Sequence, residues 1–226
     1  MNDINPFNDD LDLLEHEIAW VAMRSKRLAA IKEQAEDQRS TRQRSPTWGS
    51  ANNTAEVQIP ADLDAALAED QTLRATIDAR IRATEASGAT LGLRVLVQRH
   101  DLDEADRNTM LLCLVPCVGS RATDPLERIG GYGLPGCISA EVVARFCELS
   151  VRERLSRHRF DSSHKLIAAG LMQGDLDDDA SPGEWPTNSI KLTNKGFTAL
   201  TGIATRPALG QAEDHRTPAL ASAAEP

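Results

Sequence analysis

At 226 residues, with 41% hydrophobic and 26% charged positions, the chain can build one or two compact domains and lacks the bias of a disordered or fibrous sequence. Its formal charge of -9, from 25 basic and 34 acidic residues, argues against wholesale binding to polyanions but leaves room for a local basic face. The longest apolar run, MLLCLVPCV (110–118), falls far short of the ~20 residues of a spanning helix, and the acidic start MNDINPFNDDLD is unlike a signal peptide; a cytoplasmic chain without membrane contact is expected.

Aromatic residues make up only 4%, so the core must come from Leu, Ile, Val and Ala, which favours helices. The first is a long helix over residues 11–39. Leu11, Leu14, Ile18, Val21, Ser25, Leu28, Lys32 and Ala35 recur at alternating steps of three and four, a heptad-like stripe broken by Ser25 and Lys32. Two readings stand side by side: an oligomerising or docking helix that uses Leu14, Ile18, Val21 and Leu28, or a helix lying on its own domain. From 36 to 60 the periodicity stops. Pro46, Gly49 and Asn52–Asn53 mark a linker, with a small basic spot at Arg39, Arg42 and Arg44.

Helical spacing resumes at Leu63, Leu67, Leu73, Ile77 and Ile81, until Gly88 interrupts it. Residues 89–118 read as helix, turn, helix. Asp103 is placed to cap the second helix, Met110, Leu111, Leu114, Val115 and Val118 to face inward, and Pro116 to kink or stop it. Residues 137–169 read as helical again, with Val142, Val143, Phe146, Leu149 and Leu155 inward; Ser150 and Glu153 form a capping-box pair at an internal restart. GLMQGD (170–175) reads as a first wing strand, residues 175–188 as the wing tip, SIKLT (189–193) as the return strand, and a closing helix starts near Asn194. The stretch from Pro207 is poor in large apolar residues and reads as a disordered tail.

Several motifs fail their structural requirements. GYGLPG (131–136) has the glycines of a dinucleotide loop but no preceding strand, and Pro135 breaks it. DLDDDASPGE has Ala180 where a calcium loop needs glycine and Pro186 where it needs glutamate, which leaves an acidic wing tip of Asp175, Asp177, Asp178 and Asp179. The four cysteines form no CxxC pair and read as reduced, packed side chains. Neither a P-loop, a G-x-S-x-G nor an H-E-x-x-H is present, so no catalytic residue, cofactor or metal is expected. The one electrostatic feature lies between 141 and 165. There Arg145, Arg152, Arg154, Arg157, Arg159 and Lys165 oppose Glu141, Glu148, Glu153 and Asp161; this is either a phosphate-facing surface or an ordinary solvated helix.

The segments LGLRVLVQRHDLDEADRNTMLLCLVPCV, CISAEVVARFCELSVRERLSRHRFDSSHKLIAAGLM and IKLTNKGFTALTG together resemble the winged-helix domain that precedes the ATPase module in bacterial AAA-type ATPases, some of which accompany contractile injection systems. The resemblance covers roughly 63–202. In that family an ATPase module follows; here only a short tail does, so nucleotide binding and hydrolysis do not carry over. The last third, HKLIAAGLMQGDLDDD with IKLTNKGFTAL, is also similar to the wing of MarR-like regulators, which run their last strand into an LTxKG turn. In those proteins the helix before the wing enters the major groove. Here that helix would begin with Ser162, Ser163, His164 and Lys165, poor equipment for reading bases, and the acidic wing tip would repel phosphate.

The expectation is therefore a mainly α chain with a small β wing: an N-terminal helix (1–38), a linker (39–60), a winged-helix-type domain (61–206) and a tail (207–226). The expected role is a non-catalytic adaptor whose partner is a protein, in particular a separate AAA-type ATPase or an injection-system component, with self-association through the first helix as a further option. The alternative is a DNA-binding regulator, with Arg152, Arg154, Arg157, Arg159, Lys165 and Lys191 as contacts.

Overall fold

The computed structural model describes residues 4–44, 61–119, 123–130, 136–156, 158–175 and 188–203. Its helices are α1 (Asp10–Arg44), α2 (Ala61–Ala86), α3 (Gly92–Arg99), α4 (Glu104–Val118), α5 (Thr123–Gly130), α6 (Ala140–Phe146), α7 (Val151–Ser156), α8 (Lys165–Ala168) and α9 (Asn194–Thr201), with a 3-10 turn at His158–Phe160. Three short strands, β1 (Ile138–Ser139), β2 (Met172–Asp175) and β3 (Ser189–Leu192), form one antiparallel sheet in the order β1–β3–β2. Ile138 and Gly174 both face Ile190 across the central strand. This is the expected fold class, mainly helical with a small β wing.

The central element is α4. Met110, Leu111, Leu112, Cys113, Leu114 and Val115 are all at most 1% exposed, so the helix is buried on every side, as an uninterrupted apolar run requires. Its start is fixed as the sequence indicates: the Asp103 carboxylate accepts from the Asp106 amide at 2.8 Å, and the Asp106 side chain accepts from the Asp103 amide at 3.1 Å. Its end is less faithful to expectation. Pro116 lies inside the helix, which runs on to Val118 and stops at Gly119 in the left-handed conformation, φ 60°. Val118, expected inside, is 45% exposed because it follows the last turn covered by neighbours.

The long first helix packs on the rest of the chain. Leu13, Leu14, Trp20, Val21 and Ala29 join the same apolar cluster as α4, α6 and the sheet, and Trp20 meets Phe146 edge to face at 5.6 Å. Each large buried side chain contributes roughly 1.5–3 kcal/mol relative to exposure. This packing is the arrangement that the second reading of α1 called for, and it leaves the docking reading to Leu11, Ile18 and Leu28, which are not fully buried. The heptad stripe is only part of the buried surface: Leu11 is 46% exposed, while Leu13, Glu17 and Ser25 are fully buried, since α2, α4, α5, α6 and α9 cover α1 from several sides. α1 runs to Arg44, and residues 45–60 of the expected linker lie outside the described residues. In α2, Ile77 and Ile81 are buried while Leu67 is exposed.

Two departures lie between α4 and the wing. Residues 138–139, read as helix, pair with β3 instead, and the Ser139 hydroxyl then caps α6 by accepting from the Val142 amide. The helix expected after Ser150 is broken into α7, the 3-10 turn and α8. Its start is as expected, with the Ser150 amide and hydroxyl both donating to Glu153 at 2.9 and 2.7 Å. Val142, Val143, Phe146 and Leu149 are buried, whereas the Leu155 side chain lies outside the described residues.

The LTNKG turn closes the wing. Thr193 caps α9 by accepting from the Gly196 amide at 3.0 Å, and its hydroxyl donates to the Gly170 carbonyl at 2.7 Å. Lys195 donates to the Ala169 carbonyl at 2.7 Å, at the end of α8. Gly196 must be glycine for a close approach: a Cβ there would sit 2.0 Å from the Leu171 carbonyl oxygen. The turn therefore binds the return strand to the segment that leads into the wing.

Candidate functional site

The basic segment before the wing, read as either a phosphate-facing surface or a solvated helix, holds several of its cations against carboxylates and carbonyls of the chain itself. Arg159 makes a forked contact with Asp103, at 2.7 and 3.0 Å, and reaches Asp106 at 2.9 Å. Its hydrogen bonds to Asp103, with the surrounding carboxylates, raise its pKa still further despite partial burial. Lys165 lies 3.0 Å from the other Asp106 oxygen and also donates to the Asp101 carbonyl. His164, 5% exposed, brings Nε2 to 3.1 Å from Asp106. One carboxylate on the first turn of α4 thus gathers three basic side chains from the broken helix.

Arg154 is held differently. Its Nε donates to the Leu149 carbonyl at 2.8 Å and an Nη donates to the Ala144 carbonyl at 3.2 Å, which caps the end of α6. Among the described residues, Arg152 and Lys191 are the members of the expected set that stand exposed without a bonded acceptor. Arg157 lies outside the described residues, as do Asp177, Asp178, Asp179, Gly131 and Gly133.

The expected docking residues of α1 are placed by the same core. Leu14 and Val21 are at most 3% exposed; Ile18 and Leu28 are half-buried against the cluster. An ionic ladder that was not among the expected features runs beside them. Glu17, fully buried, accepts from Arg74 at 2.8 Å and from Arg107, so one carboxylate joins α1, α2 and α4. Asp12 meets Arg80 at 3.0 Å, and buried Asp70 meets Arg27 at 3.0 Å. Arg24 stacks 5.6 Å over Trp20 and 5.2 Å over Phe146, and donates to the Phe146 carbonyl and to Glu148, which ties α1 across the turn after α6. A usable signal was the charged residues flanking the stripe, Glu17, Arg24 and Arg27, together with Arg74 and Arg80 in α2.

The cysteines are free. Burial pushes the Cys147 thiol up to about 12 and Cys113 well above the usual thiol range, so neither supplies a thiolate near neutral pH. Cys117, expected to pack, is exposed at the end of α4. No helix among the described residues is long and apolar enough to cross a membrane.

Comparison with known proteins returns one family. The chain matches the description "Winged helix domain, variant" over residues 1–208. No curated protein and no solved structure matches it.

Proposed function

The chain belongs to the variant winged-helix domain family, and from that premise we propose that it is a non-catalytic protein-interaction module, an adaptor rather than a reader of DNA. The observation that carries this reading is the Asp103–Asp106 turn. A winged helix that reads duplex DNA lays a recognition helix in the major groove and presents free cations and amides to phosphates and bases. Here the helix directly before the wing is four residues long, and its basic neighbours Arg159, His164 and Lys165 are held by carboxylates of α4. Lys195, in the first turn of α9 just after the wing, is likewise bound to a backbone carbonyl.

The resemblance to the domain that precedes AAA-type ATPase modules supports a finer proposal, that the partner is a separately encoded ATPase or a component of the assembly such an ATPase serves. The competing reading, a winged-helix regulator, keeps Arg152 and Lys191 as exposed cations. Formaldehyde cross-linking in source cells, followed by purification of the tagged chain, separates the two. We expect one protein in near-stoichiometric amount and DNA at the level of an untagged control. Enrichment of a defined DNA sequence would overturn the reading.

A further inference from the structure

α1 outruns the helix it lies against. The pairs Asp12–Arg80, Glu17–Arg74 and Arg27–Asp70 set α1 and α2 antiparallel. α2 begins at Ala61, a few turns before Asp70, so at equal rise its start comes roughly opposite residue 36 of α1. Beyond that point α1 continues to Arg44.

Between Leu28 and Arg39, running up to and just past that point, α1 together with α5 and the α6–α7 turn encloses a cleft of about 430 Å³. Its floor is apolar: Leu28, Ile31 and Ala35 lie at steps of three and four on one helical face, and Ile129 of α5 faces them. Ile31 is 41% exposed there, a large aliphatic side chain left open to water. The rim carries Lys32, Arg39 and Arg154 against Glu36 and Glu148; a fourth rim cation, Arg145, is already paired with Glu141 one turn back on α6. Two of these cations keep most of their charge: Arg154 donates to neutral carbonyls, and Lys32 to the Arg128 carbonyl at 2.8 Å, with Glu36 farther off at 3.9 Å. Glu148 is offset from behind by Arg24 and Arg27. In a chain of net charge -9, the cleft is a local reversal of sign over an apolar floor.

We propose that this cleft docks an acidic amphipathic helix of the partner protein, with an apolar side chain on Ile31 and carboxylates among Lys32, Arg39 and Arg154. The proposal rests on the protein-interaction reading and names the chemistry of its partner. The shape favours a helix over a small anion: Leu28 to Arg39 spans roughly 16 Å along α1, about three turns of a bound helix. The anchors repeat at helical spacing, as in other helix-in-groove sites.

The test uses the full chain and two labelled 16-residue helical peptides of our design. One has a leucine stripe flanked by glutamates; in the other, lysines replace the glutamates. In fluorescence anisotropy the acidic peptide should bind at least about tenfold more tightly than the basic one. Ile31→Glu and Arg39→Glu should each weaken it by about tenfold or more, with circular dichroism and the melting temperature unchanged because both positions are exposed. Equal binding of the two peptides, no binding of either, or full binding by Ile31→Glu would overturn the proposal. So would a concentration-dependent dimer in light scattering that Ile31→Glu abolishes, since the occupant would then be a second copy. If the cleft fails while cross-linking still recovers a protein, the site is wrong and the protein-interaction reading stands; recovery of a specific DNA sequence removes that reading itself.

Discussion

Glu17→Ala should destabilise the fold by about 3–5 kcal/mol, the usual loss when one partner of a buried ion pair is removed and the other charge is left behind. Glu17 is fully buried, and two guanidiniums, from Arg74 and Arg107, converge on it. Arg74 retains Asp78 as a second carboxylate, but Arg107 would keep only its contact with the Asn108 side-chain oxygen at 3.2 Å. The lost contacts also join three helices, so the effect should reach the whole transition rather than release α1 alone. Urea unfolding followed by far-UV circular dichroism checks this. The exposed neighbour Glu15→Ala should stay within about 0.5 kcal/mol of the wild type. A Glu17→Ala loss below about 1 kcal/mol, or a separate early loss of helix signal, would mean that α1 is a loosely held arm.

The second large effect concerns Asp106 and acid. Burial raises its pKa, but hydrogen bonds from His164, from Lys165 and from the Asp103 amide, together with the charge of His164, outweigh burial and hold the carboxyl far below its ordinary range. A carboxylate depressed in the folded state stabilises fully above its unfolded pKa, ~3.9, and that contribution is lost as pH falls through the folded pKa. The wild type should therefore lose stability steeply below about pH 4. Asp106→Asn should lose about 3–5 kcal/mol at pH 7, because Arg159, His164 and Lys165 then lack their shared carboxylate, and its stability should fall less steeply in acid. Melting temperatures of both proteins between pH 7 and 3 decide the matter. Parallel acid limbs would show that Asp106 does not govern that region.

How much of this could be read from the chain depended on the range of the interaction. Short-range chemistry was legible: Asp103 as a cap, the Ser150–Glu153 box, and the LTNKG turn with strands on either side of the wing. The apolar run of α4 announced a helix with one buried face; that Leu112 and Cys113 are buried too was not read. β1 was not legible, since a strand of two residues has no period and is defined only by β3, fifty residues later. Nor was the break after α7, where Arg159 is drawn to the capping turn of α4 and local helix preference gives way to a tertiary contact.

The surroundings of the basic segment were illegible for the same reason. As a string, residues 141–165 carry a surplus of positive charge; folded, much of that charge faces Asp103 and Asp106, more than fifty residues away in sequence. The stripe of α1 likewise left a docking helix and a helix lying on its own domain both open, because the partners of Glu17 and Arg27 lie in other helices. Charge counted along a segment reports what the segment carries, whereas binding depends on what the fold leaves unpaired.

The proposed reading requires that Arg159, His164 and Lys165 serve the fold and not phosphate. The most direct measurement is selection from a randomised duplex pool at ~150 mM salt, followed by titration of the enriched duplex against a scrambled control. We predict no enriched motif and a dissociation constant no tighter than about 10⁻⁶ M for either duplex, the level of weak non-specific binding. A reproducible motif bound more tightly than about 10⁻⁷ M, and lost in Arg152→Ala or Lys191→Ala, would contradict it.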